Sequence, residues 1–581
     1  MPALLACTAA LLHAGCAADE AARTPVIGYV GSMDSAHVDG WRGAELGAAE
    51  VQRAAELIGR TIEVRAEQAT DSAAALAAAR RLIEQGATVL VGGHDEAVCR
   101  GLMALADAEG VLFLNVGCAT DALRGRGRNT FHVQASEALR RAPDGGPAAV
   151  RPESRVAWHG QLGRYGAAQL NRRFRERFGA DAGGDAWAAW MAMKIAWEAT
   201  QQRQSSDPDE LRAFLLSEEA EFDGHKGQPL VFDPATRQLQ QPLFAAPAGA
   251  TSGAPADDAR AITVDGADAL RAAAAARARL AVVTNEGSSD VSIIDTRSNQ
   301  VIATIGLVAR PRGVRASADG RLAYIAMSDD APEHASDADA IVTIDLAEGR
   351  VTALVHVGSD PEQFAIAPAG DRLYAANEDA GTATITDLTR DSVLETLIVG
   401  IEPEGVAVSP DGRWVYVTAE TSNTVSVIDT QKREVVASFL VDVRPRAAAF
   451  SPDGRLAFVS NEISGTLSIV EVPAHRVVAT IPLANGAARP VSIAPATDGR
   501  RVYVANGRAN SISVIDPAAR REIAVIPVGE RPWGVDVSND GALVYTANGG
   551  SNDVSVIDAR SLRVITTIPV GERPWGVALT K

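Results

Sequence analysis

A short sequence repeats through the C-terminal half of the 581-residue chain and constrains its fold more than any other feature. It reads Val-Ser-Val-Ile-Asp in two units, and the repeats end at Asp295, Asp345, Asp387, Asp429, Glu471, Asp516 and Asp558. These residues lie 42 to 50 positions apart, and a proline recurs with the same spacing at Pro311, Pro361, Pro403, Pro445, Pro490, Pro532 and Pro574. A period near 42 with four short strands per unit is typical of a propeller blade.

Each unit contains four short segments of alternating residues, which we label a, b, c and d in chain order. Segment a follows the repeat proline, and Asp-Gly pairs suited to a tight hairpin separate a from b, for example at 319–320, 411–412, 453–454 and 498–499. The array begins with segment b at 280–284 and ends with a lone segment a that starts at Pro574. The last strand therefore completes the first blade. This predicts an all-β seven-bladed propeller over 280–581, closed by the C-terminal strand.

Residues 24–245 have a different pattern, in which short apolar runs alternate with helical stretches. The predicted strands are 25–31, 61–66, 88–92 and 111–116, and the predicted helices are 40–58, 72–85 and 96–108. Such alternation indicates parallel βαβ units. Residues 246–279 are rich in Ala, Gly and Pro and are interpreted as a linker. The chain is therefore predicted to be multidomain, with an N-terminal α/β domain followed by the propeller.

Candidate ligand-binding residues follow the predicted strands of the α/β domain, because ligands of parallel sheets bind at the carboxyl ends of the strands. Ser32 and Asp34 follow the first strand, His94 the third and Thr120 the fourth, each beside glycines. We expect these side chains to line a binding cleft. Alternatively, the glycines only form tight strand-to-helix turns.

The N-terminus and the cysteines bear on where the protein works. Residues 1–23 begin with an apolar run and turn polar at Asp19, which predicts a signal segment and a periplasmic or exported protein without a transmembrane span. Cys16 is a candidate lipidation site, with simple cleavage nearby as the alternative. Cys99 and Cys118 either form a disulfide or remain two buried thiols. Cysteine and histidine spacing predicts neither c-type haem nor zinc, and no metal site is expected.

The charge balance excludes one class of partner. The chain has 55 basic and 73 acidic residues, a formal net charge of −18. Because an acidic protein repels phosphates, nucleic acids and anionic lipid surfaces are poor candidates as partners.

The residues beside the repeat prolines form a second group of candidates. An arginine precedes the proline in five units and an acid in two, and a tryptophan follows it in the last two: Arg310, Arg444, Arg489, Arg531, Arg573, Asp360, Glu402, Trp533 and Trp575. We expect a ring at the channel mouth that binds an anionic planar ligand or an acidic partner loop, since guanidinium groups pair with carboxylates. Alternatively, the arginines form salt bridges between blades, with acids of the b–c loops: Glu286, Glu378, Glu420 and Glu462.

The N-terminal domain contains stretches that resemble a known family. Phe222-Asp-Gly-His-Lys-Gly227, followed by Phe232-Asp-Pro-Ala-Thr, resembles the final hairpin of type I periplasmic substrate-binding proteins of branched-chain amino-acid transporters. Arg164-Tyr-Gly-Ala-Ala-Gln-Leu-Asn and Gln238-Leu-Gln-Gln-Pro-Leu are similar to the branch associated with PQQ-dependent alcohol oxidation. This resemblance adds Tyr165 to the cleft candidates. The chain passes from Ser136 to the late stretch at 155–159 too soon for a complete second lobe, which is therefore expected to be truncated.

The propeller units resemble the YVTN family, in Tyr416-Val-Thr-Ala and Tyr503-Val-Ala-Asn. Glu402-Pro-Glu-Gly-Val and Asn548-Gly-Gly-Ser-Asn-Asp are similar to the propeller associated with PQQ-dependent catabolism. The resemblances imply a non-catalytic periplasmic accessory protein of PQQ-dependent alcohol oxidation. It would bind a small molecule, with PQQ among those to test, or dock to the dehydrogenase system or its transporter. No catalytic residue and no resident cofactor are expected. The alternatives are a propeller lactonase-like hydrolase and a cell-surface interaction or adhesion protein.

Overall fold

The computed structural model consists of two compact units, Met1–Ser252 and Gly253–Lys581. It describes residues 24–141, 155–162, 167–217, 219–226, 229–245, 264–328, 339–358, 360–378 and 380–580. The predicted signal segment, including Cys16, lies outside the described residues, as does Tyr165. No helix in these ranges is long and apolar enough to cross a membrane.

The N-terminal unit is built on a five-stranded parallel sheet. Its strands are β1 (Val26–Gly31), β2 (Glu63–Gln68), β3 (Val89–Gly92), β4 (Leu112–Asn115) and β5 (Thr130–His132), in the order β2-β1-β3-β4-β5. The helices α1 (Val38–Leu57), α2 (Ser72–Glu84) and α3 (Glu96–Glu109) connect them. Asp71 and Asp95 cap α2 and α3 by accepting hydrogen bonds from backbone N–H groups. The predicted βαβ order is confirmed.

The rest of the N-terminal unit packs back onto this one sheet. It contains α4 (Glu137–Arg141), α5 (Ala167–Phe178), α6 (Gly184–Arg203) and α7 (Pro208–Leu215), with the short strands β6 (Arg155–Val156), β7 (Val231–Phe232), β8 (Leu239–Gln240) and β9 (Phe244–Ala245). Helix α6 is buried on every side from Ala186 to Gln201 and lies against α1, where Gly43 leaves no room for a side chain beside Ala186. Beyond β5, the described strands form only the pairs β6–β9 and β7–β8. A second-lobe sheet is therefore missing from the described residues, as the short sequence predicts.

The second unit is a propeller of seven four-stranded antiparallel blades. Blade 1 contains β11 (Leu280–Asn285), β12 (Asp290–Asp295), β13 (Gln300–Gly306) and the C-terminal β38 (Pro574–Leu579). Blade 2 contains β14 (Arg310–Ala316), β15 (Leu322–Ser328), β16 (Ala340–Asp345) and β17 (Arg350–His356), and blade 3 contains β18 (Pro361–Ile366), β19 (Arg372–Asn377), β20 (Thr382–Asp387) and β21 (Ser392–Ile398).

The remaining blades repeat this order. Blade 4 contains β22 (Pro403–Val408), β23 (Trp414–Ala419), β24 (Thr424–Asp429) and β25 (Glu434–Leu440), and blade 5 contains β26 (Pro445–Phe450), β27 (Leu456–Asn461), β28 (Thr466–Glu471) and β29 (Arg476–Pro482). Blade 6 contains β30 (Pro490–Pro495), β31 (Val502–Asn506), β32 (Ser511–Asp516) and β33 (Arg521–Pro527), and blade 7 contains β34 (Pro532–Val537), β35 (Leu543–Asn548), β36 (Asp553–Asp558) and β37 (Arg563–Pro569).

The two ends of the array close the propeller. Strand β38 pairs antiparallel with β11 and supplies the innermost strand of blade 1. Leu280 N donates to Thr580 Oγ1 at 2.8 Å, and Thr580 N donates to the Leu280 carbonyl at 2.9 Å. The predicted closure by the chain ends is confirmed, and it leaves no inner edge strand unpaired.

The predicted linker ends earlier than 279. Strand β10 (Val264–Asp265) pairs with β13 and adds a fifth, outer strand to blade 1. Helix α8 (Ala267–Ala275) then buries Leu270 against the core of the propeller. The alanine-rich composition was interpreted as a linker, but alanine also favours helix, and one buried leucine fixes the helix to the blade. Residues 264–279 therefore belong to the propeller unit.

Candidate functional site

The backbone beside the repeat prolines aims charged side chains at one mouth of the channel. The residue before the proline has a positive φ in five blades, at Asp360, Glu402, Arg444, Arg531 and Arg573. The pairing of the two innermost strands then shifts register within three residues of the proline in blades 2 to 7. A bulge of this kind turns side chains out of the regular alternation of a strand.

Three repeat positions meet at this mouth, which we call the mouth cluster. The first is the residue before the proline, and the second is the residue after it: Arg312, Glu362, Glu404, Arg446, Val491, Trp533 and Trp575. The third is the residue after segment b, an acid in blades 1, 3, 4 and 5: Glu286, Glu378, Glu420 and Glu462. Salt bridges and ring contacts connect members of all three positions.

In blades 4 and 5 the mouth cluster is a buried network of acids and arginines. Arg446 Nη1 lies 2.6 Å from Glu404 Oε2 and also contacts Glu420. Arg444 Nη2 lies 2.5 Å from Glu420 Oε2, and Arg444 Nε lies 3.2 Å from Glu462 Oε2. Glu404 and Glu420 are 3% and 0% exposed. Glu404 and Glu420 of blade 4 therefore each face a guanidinium group contributed by blade 5.

The two buried acids of blade 4 differ in protonation. Burial raises the pKa of Glu404 well above its ordinary value, and this outweighs the opposing effect of Arg446. Burial also acts to raise the pKa of Glu420, but Arg444, Arg446 and a hydrogen bond from Glu404 outweigh it and lower that pKa. The surroundings therefore shift the two pKa values in opposite directions, favouring the protonated form of Glu404 and the ionised form of Glu420.

In blade 3 the same three positions carry Asp360, Glu362 and Glu378, all buried. One carboxylate oxygen from each lies within 4.8 Å of the others. Glu362 contacts Arg312 of blade 2. Burial, followed by the charges of Asp360, Glu420 and Glu402, raises the pKa of Glu378 to about 8. No ion pair to Asp360 or Glu378 forms among the described residues.

The opposite side of the mouth is aromatic. Trp533 lies on the innermost strand of blade 7, and Trp575 lies on the innermost strand of blade 1. Their ring centroids are 6.2 Å apart and their planes are inclined by 18°. The Cζ atoms of Arg446 and Arg531 lie 5.5 and 5.1 Å from the Trp533 ring centroid, within cation–π range. Arg446 thus connects the acids of blade 4 to the indole of blade 7.

Behind the mouth, the innermost strands surround a cavity of about 390 Å³. Trp533 and Trp575 form part of its lining, and Arg315, Gln363 and Asp536 contribute polar side chains to it. Cavities of this size accommodate small organic ligands.

The other arginines predicted at the mouth also have partners. Arg310 Nη1 and Arg573 Nη2 lie 3.1 and 3.2 Å from Glu286. Arg489 Nη1 donates to the Ile463 carbonyl at 2.7 Å. The structure thus forms the salt bridges between blades, which the sequence offered as the alternative, at Glu286 and Glu420 but not at Glu378. Ligand binding by these arginines stays a prediction.

Sequence reasoning missed the residues after the prolines of blades 2 to 5, namely Arg312, Glu362, Glu404 and Arg446. The signal was available, because these residues occupy the repeat position that carries the two predicted tryptophans in blades 7 and 1. They were overlooked because a charged residue two positions into a strand is usually solvent-exposed, and the register shift was not predictable from spacing.

The cleft candidates of the N-terminal unit meet in part. Ser32 Oγ donates to Asp34 Oδ2 at 2.8 Å, and this bond, with a second from His37, lowers the pKa of Asp34 to about 2. The rings of His37 and His94 lie 4.9 Å apart, and burial lowers the pKa of His94. Thr120 instead accepts a bond from Ala122 N in its own turn. His37 was not predicted, because it precedes helix α1 rather than ending a strand.

Cys99 and Cys118 are free, buried thiols in the structure, which is the second of the two alternatives drawn from the sequence. A hydrogen bond between the thiols, together with burial, raises the pKa of Cys99. The same bond lowers the pKa of Cys118 to about 7.

Comparisons with known proteins agree with the two-part architecture. Residues 26–156 match the family model described as "Periplasmic binding protein", and residues 442–562 match "Lactonase, 7-bladed beta-propeller". A comparison with curated proteins found no match. The chain thus consists of an N-terminal α/β domain like those of periplasmic binding proteins and a C-terminal seven-bladed propeller.

Solved structures similar to this chain include a hydrazine synthase from Kuenenia stuttgartiensis, at 22% identity over 43% of this chain and 95% of the other, with a TM-score of 0.32. A functionally unknown protein from Desulfotomaculum acetoxidans is 17% identical over 52% and 98% of the two chains, with a TM-score of 0.45. A putative 6-phosphogluconolactonase from Bacteroides fragilis is 15% identical over 52% and 98%, with a TM-score of 0.45.

The expectation that this protein is not an enzyme is wrong. It rested on the lack of a familiar nucleophile motif, whereas the match of 442–562 to a lactonase family points to a hydrolase. The buried pair of Glu404 and Glu420 is not visible as a short sequence motif, because the two residues occupy different repeat positions.

Proposed function

We propose that the propeller unit is a hydrolase that opens a small anionic lactone at the mouth cluster. The observation that carries the proposal is the Glu404–Glu420 pair held against Arg446. The lactonase match supports it, because residues 442–562 include Arg444, Arg446 and Trp533.

Hydrolysis of a lactone adds water to the carbonyl carbon and breaks the ring C–O bond. One proton must leave the water, and one must reach the departing oxygen. The pKa of Glu404 is raised and that of Glu420 is lowered, so Glu404 would serve as the acid and Glu420 as the base of the reaction. Enzymes obtain both roles near neutral pH by shifting the pKa values of two neighbouring carboxyl groups in opposite directions.

Arginine and tryptophan supply the binding side of the site. A carboxylate of the substrate would pair with the Arg446 guanidinium and compete with the enzyme's own acids for it, which frees a carboxyl for proton transfer. The guanidinium also stabilises the negative charge that develops on the carbonyl oxygen. The indoles of Trp533 and Trp575 offer flat apolar surfaces to the rest of the ring.

The narrower assignment to PQQ-dependent alcohol oxidation rests on the sequence resemblance alone and stays a prediction, as do PQQ as a ligand and the components of that system as partners. The match of 26–156 to periplasmic binding proteins supports a periplasmic or exported location.

The test is hydrolysis of a panel of γ- and δ-lactones, with and without a carboxylate, by the full-length protein. Glu404→Gln and Glu420→Gln each remove one proton-transfer group, and we expect kcat to fall at least about a hundredfold. Glu434→Gln makes the same chemical change at an exposed position on β25 and should leave kcat unchanged within about twofold. Turnover of no lactone by the unaltered protein, or full activity of Glu404→Gln, would overturn the proposal.

A further inference from the structure

In blades 1 and 4, the acid after segment b pairs with arginines of the next blade, and this rule fails in blade 3. Glu286 after segment b of blade 1 pairs with Arg310 of blade 2, and Glu420 of blade 4 pairs with Arg444 and Arg446 of blade 5. An acid of one blade thus faces arginines of the next. Glu378 of blade 3 breaks the rule, because the next blade carries acids at both arginine positions.

The result is a local excess of buried negative charge. Blades 3 and 4 together contribute six acids and no arginine at the three repeat positions: Asp360, Glu362, Glu378, Glu402, Glu404 and Glu420. Arginines from blade 5 reach the acids of blade 4, and Arg312 from blade 2 reaches Glu362. An uncompensated buried carboxylate is costly unless a cation or a proton accompanies it.

Two carboxylate oxygens of the mouth cluster in blade 3 have neither a hydrogen-bond partner nor an ion pair among the described residues. They are Oδ1 of Asp360 and Oε2 of Glu378, whose residues are 8% and 5% exposed. In blade 4, Glu404 Oε2 and Glu420 Oε2 also lack a hydrogen bond, but each contacts an arginine. Buried carboxylate oxygens ordinarily accept hydrogen bonds or coordinate metal. Asp360 and Glu378 belong to the set of three carboxylates whose oxygens converge within 4.8 Å.

We propose that Asp360, Glu362 and Glu378 bind a divalent cation, with Ca²⁺ the best fit. Carboxylate oxygens are hard ligands of the kind that Ca²⁺ and Mg²⁺ prefer. Oxygens on opposite sides of a Ca²⁺ ion are about 4.6–5.2 Å apart, whereas those around Mg²⁺ are about 4.0–4.2 Å apart. The donor atoms lie within 4.8 Å of one another, which suits either ion. We favour Ca²⁺ because it accepts irregular sets of carboxylate oxygens, whereas Mg²⁺ demands near-ideal octahedral geometry and usually keeps several waters.

The cation takes the place that arginine occupies in the neighbouring blades. It neutralises blade 3 and lies in the same mouth cluster as the Glu404–Glu420 pair. The inference stands apart from the proposed hydrolase, because cation binding is measured without substrate. Short ligand spacings in the sequence predict no metal site. These three carboxylates occupy separate repeat positions, so they do not form a short ligand motif.

The experiment is a calorimetric titration of the full-length protein, stripped with EDTA, with Ca²⁺ and in parallel with Mg²⁺. We expect one Ca²⁺ per chain with a Kd at or below about 1 mM, the range of extracellular calcium sites, and weaker binding of Mg²⁺. Asp360→Asn and Glu378→Gln should each weaken Ca²⁺ binding at least tenfold. Glu395→Gln, a half-exposed acid on β21 of the same blade, should leave the Kd unchanged.

Both ligand variants should fold, because each replaces a buried carboxyl group that forms no ion pair among the described residues, and circular dichroism checks this. Binding of no Ca²⁺ by the unaltered protein overturns the proposal. So does Ca²⁺ binding that persists undiminished in Asp360→Asn and Glu378→Gln, since the ion would then lie elsewhere. If the unaltered protein binds Ca²⁺ but hydrolyses no lactone, the proposed function is wrong and the cation site is unaffected.

Discussion

Blades 3 and 4 place acids at the same three repeat positions, but the acids have different surroundings. In blade 4, Glu404 and Glu420 contact arginines of blade 5. In blade 3, Asp360 and Glu378 face a blade that offers only acids at the equivalent positions. The comparison teaches that the charge state of an acid in this propeller depends on the next blade in sequence, and that identical residues acquire different chemistry from it.

The largest effect is expected where a buried arginine is removed. Arg446→Ala leaves Glu404 and Glu420 buried without their shared partner, which should lower the free energy of unfolding of the propeller by about 3–5 kcal/mol. Chemical denaturation of the full chain measures it. Arg433→Ala removes an exposed arginine 3.7 Å from Glu395 and should cost less than about 1 kcal/mol. A loss below 1 kcal/mol for Arg446→Ala would mean that blade 4 is not held by ion pairs.

The same substitution should have opposite signs in the two blades. In metal-free protein at pH 7, Glu378 must take up a proton on folding because its pKa is raised to about 8, mainly by burial. Glu378→Gln removes this cost and should raise the free energy of unfolding by roughly 2 kcal/mol. Glu420→Gln removes an ionised partner of two arginines and should lower it. Thermal unfolding in EDTA compares the two variants, and a shift of equal sign would contradict the distinction between the blades.

The pH dependence of the free energy of unfolding should reflect the opposite pKa shifts of Glu404 and Glu420 in blade 4. The pKa of Glu404 is raised above its ordinary value of 4.5, so its contribution is complete below pH 4.5 and is lost as the pH rises through the folded-state pKa. The pKa of Glu420 is lowered, so its contribution is present above pH 4.5 and is lost in acid. Unfolding midpoints measured from pH 3 to 9 should therefore lose part of their alkaline decline in Glu404→Gln, whereas an unchanged profile would refute the assignment.

The aromatic side of the mouth should have the smallest effect. Trp533→Ala removes one stacking surface and should raise KM for a lactone by about three- to tenfold with little change in kcat. Trp533→Phe keeps an aromatic face and should restore most of the affinity. A fall in kcat without a change in KM would show that Trp533 acts on the reacting atoms and not in binding.

The sequence predicts the scaffold well, because a scaffold depends on periodicity. Three features of the sequence predict seven blades and their closure: a repeat of about 42 residues, an array that starts with segment b, and a lone segment a at its end. Strands β11 and β38 pair as this predicts. In the N-terminal unit, β1 and β3 are paired parallel strands, so Ser32 and His94 follow strand ends on the same edge of the sheet.

The site is harder to predict, because it depends on which neighbouring blade supplies a counter-charge. The five arginines before the prolines were visible in the sequence, but the partner of Glu420 is Arg446 as much as Arg444. The burial that raises the pKa of Glu378 is a property of packing and leaves no trace in spacing. The packing of helix α8 on the propeller was not predicted for a related reason. A single leucine in an alanine-rich stretch does not show which core it packs against.

The most direct test of the contrast between the blades is the Ca²⁺ content of the protein, measured by plasma mass spectrometry after gel filtration in Ca²⁺-containing buffer. The unaltered chain should retain about one Ca²⁺ and Asp360→Asn almost none, while Arg446→Ala, which removes no proposed ligand of the ion, should retain it if it stays folded. Equal Ca²⁺ content in the unaltered chain and in Asp360→Asn would contradict the assignment of a cation to blade 3.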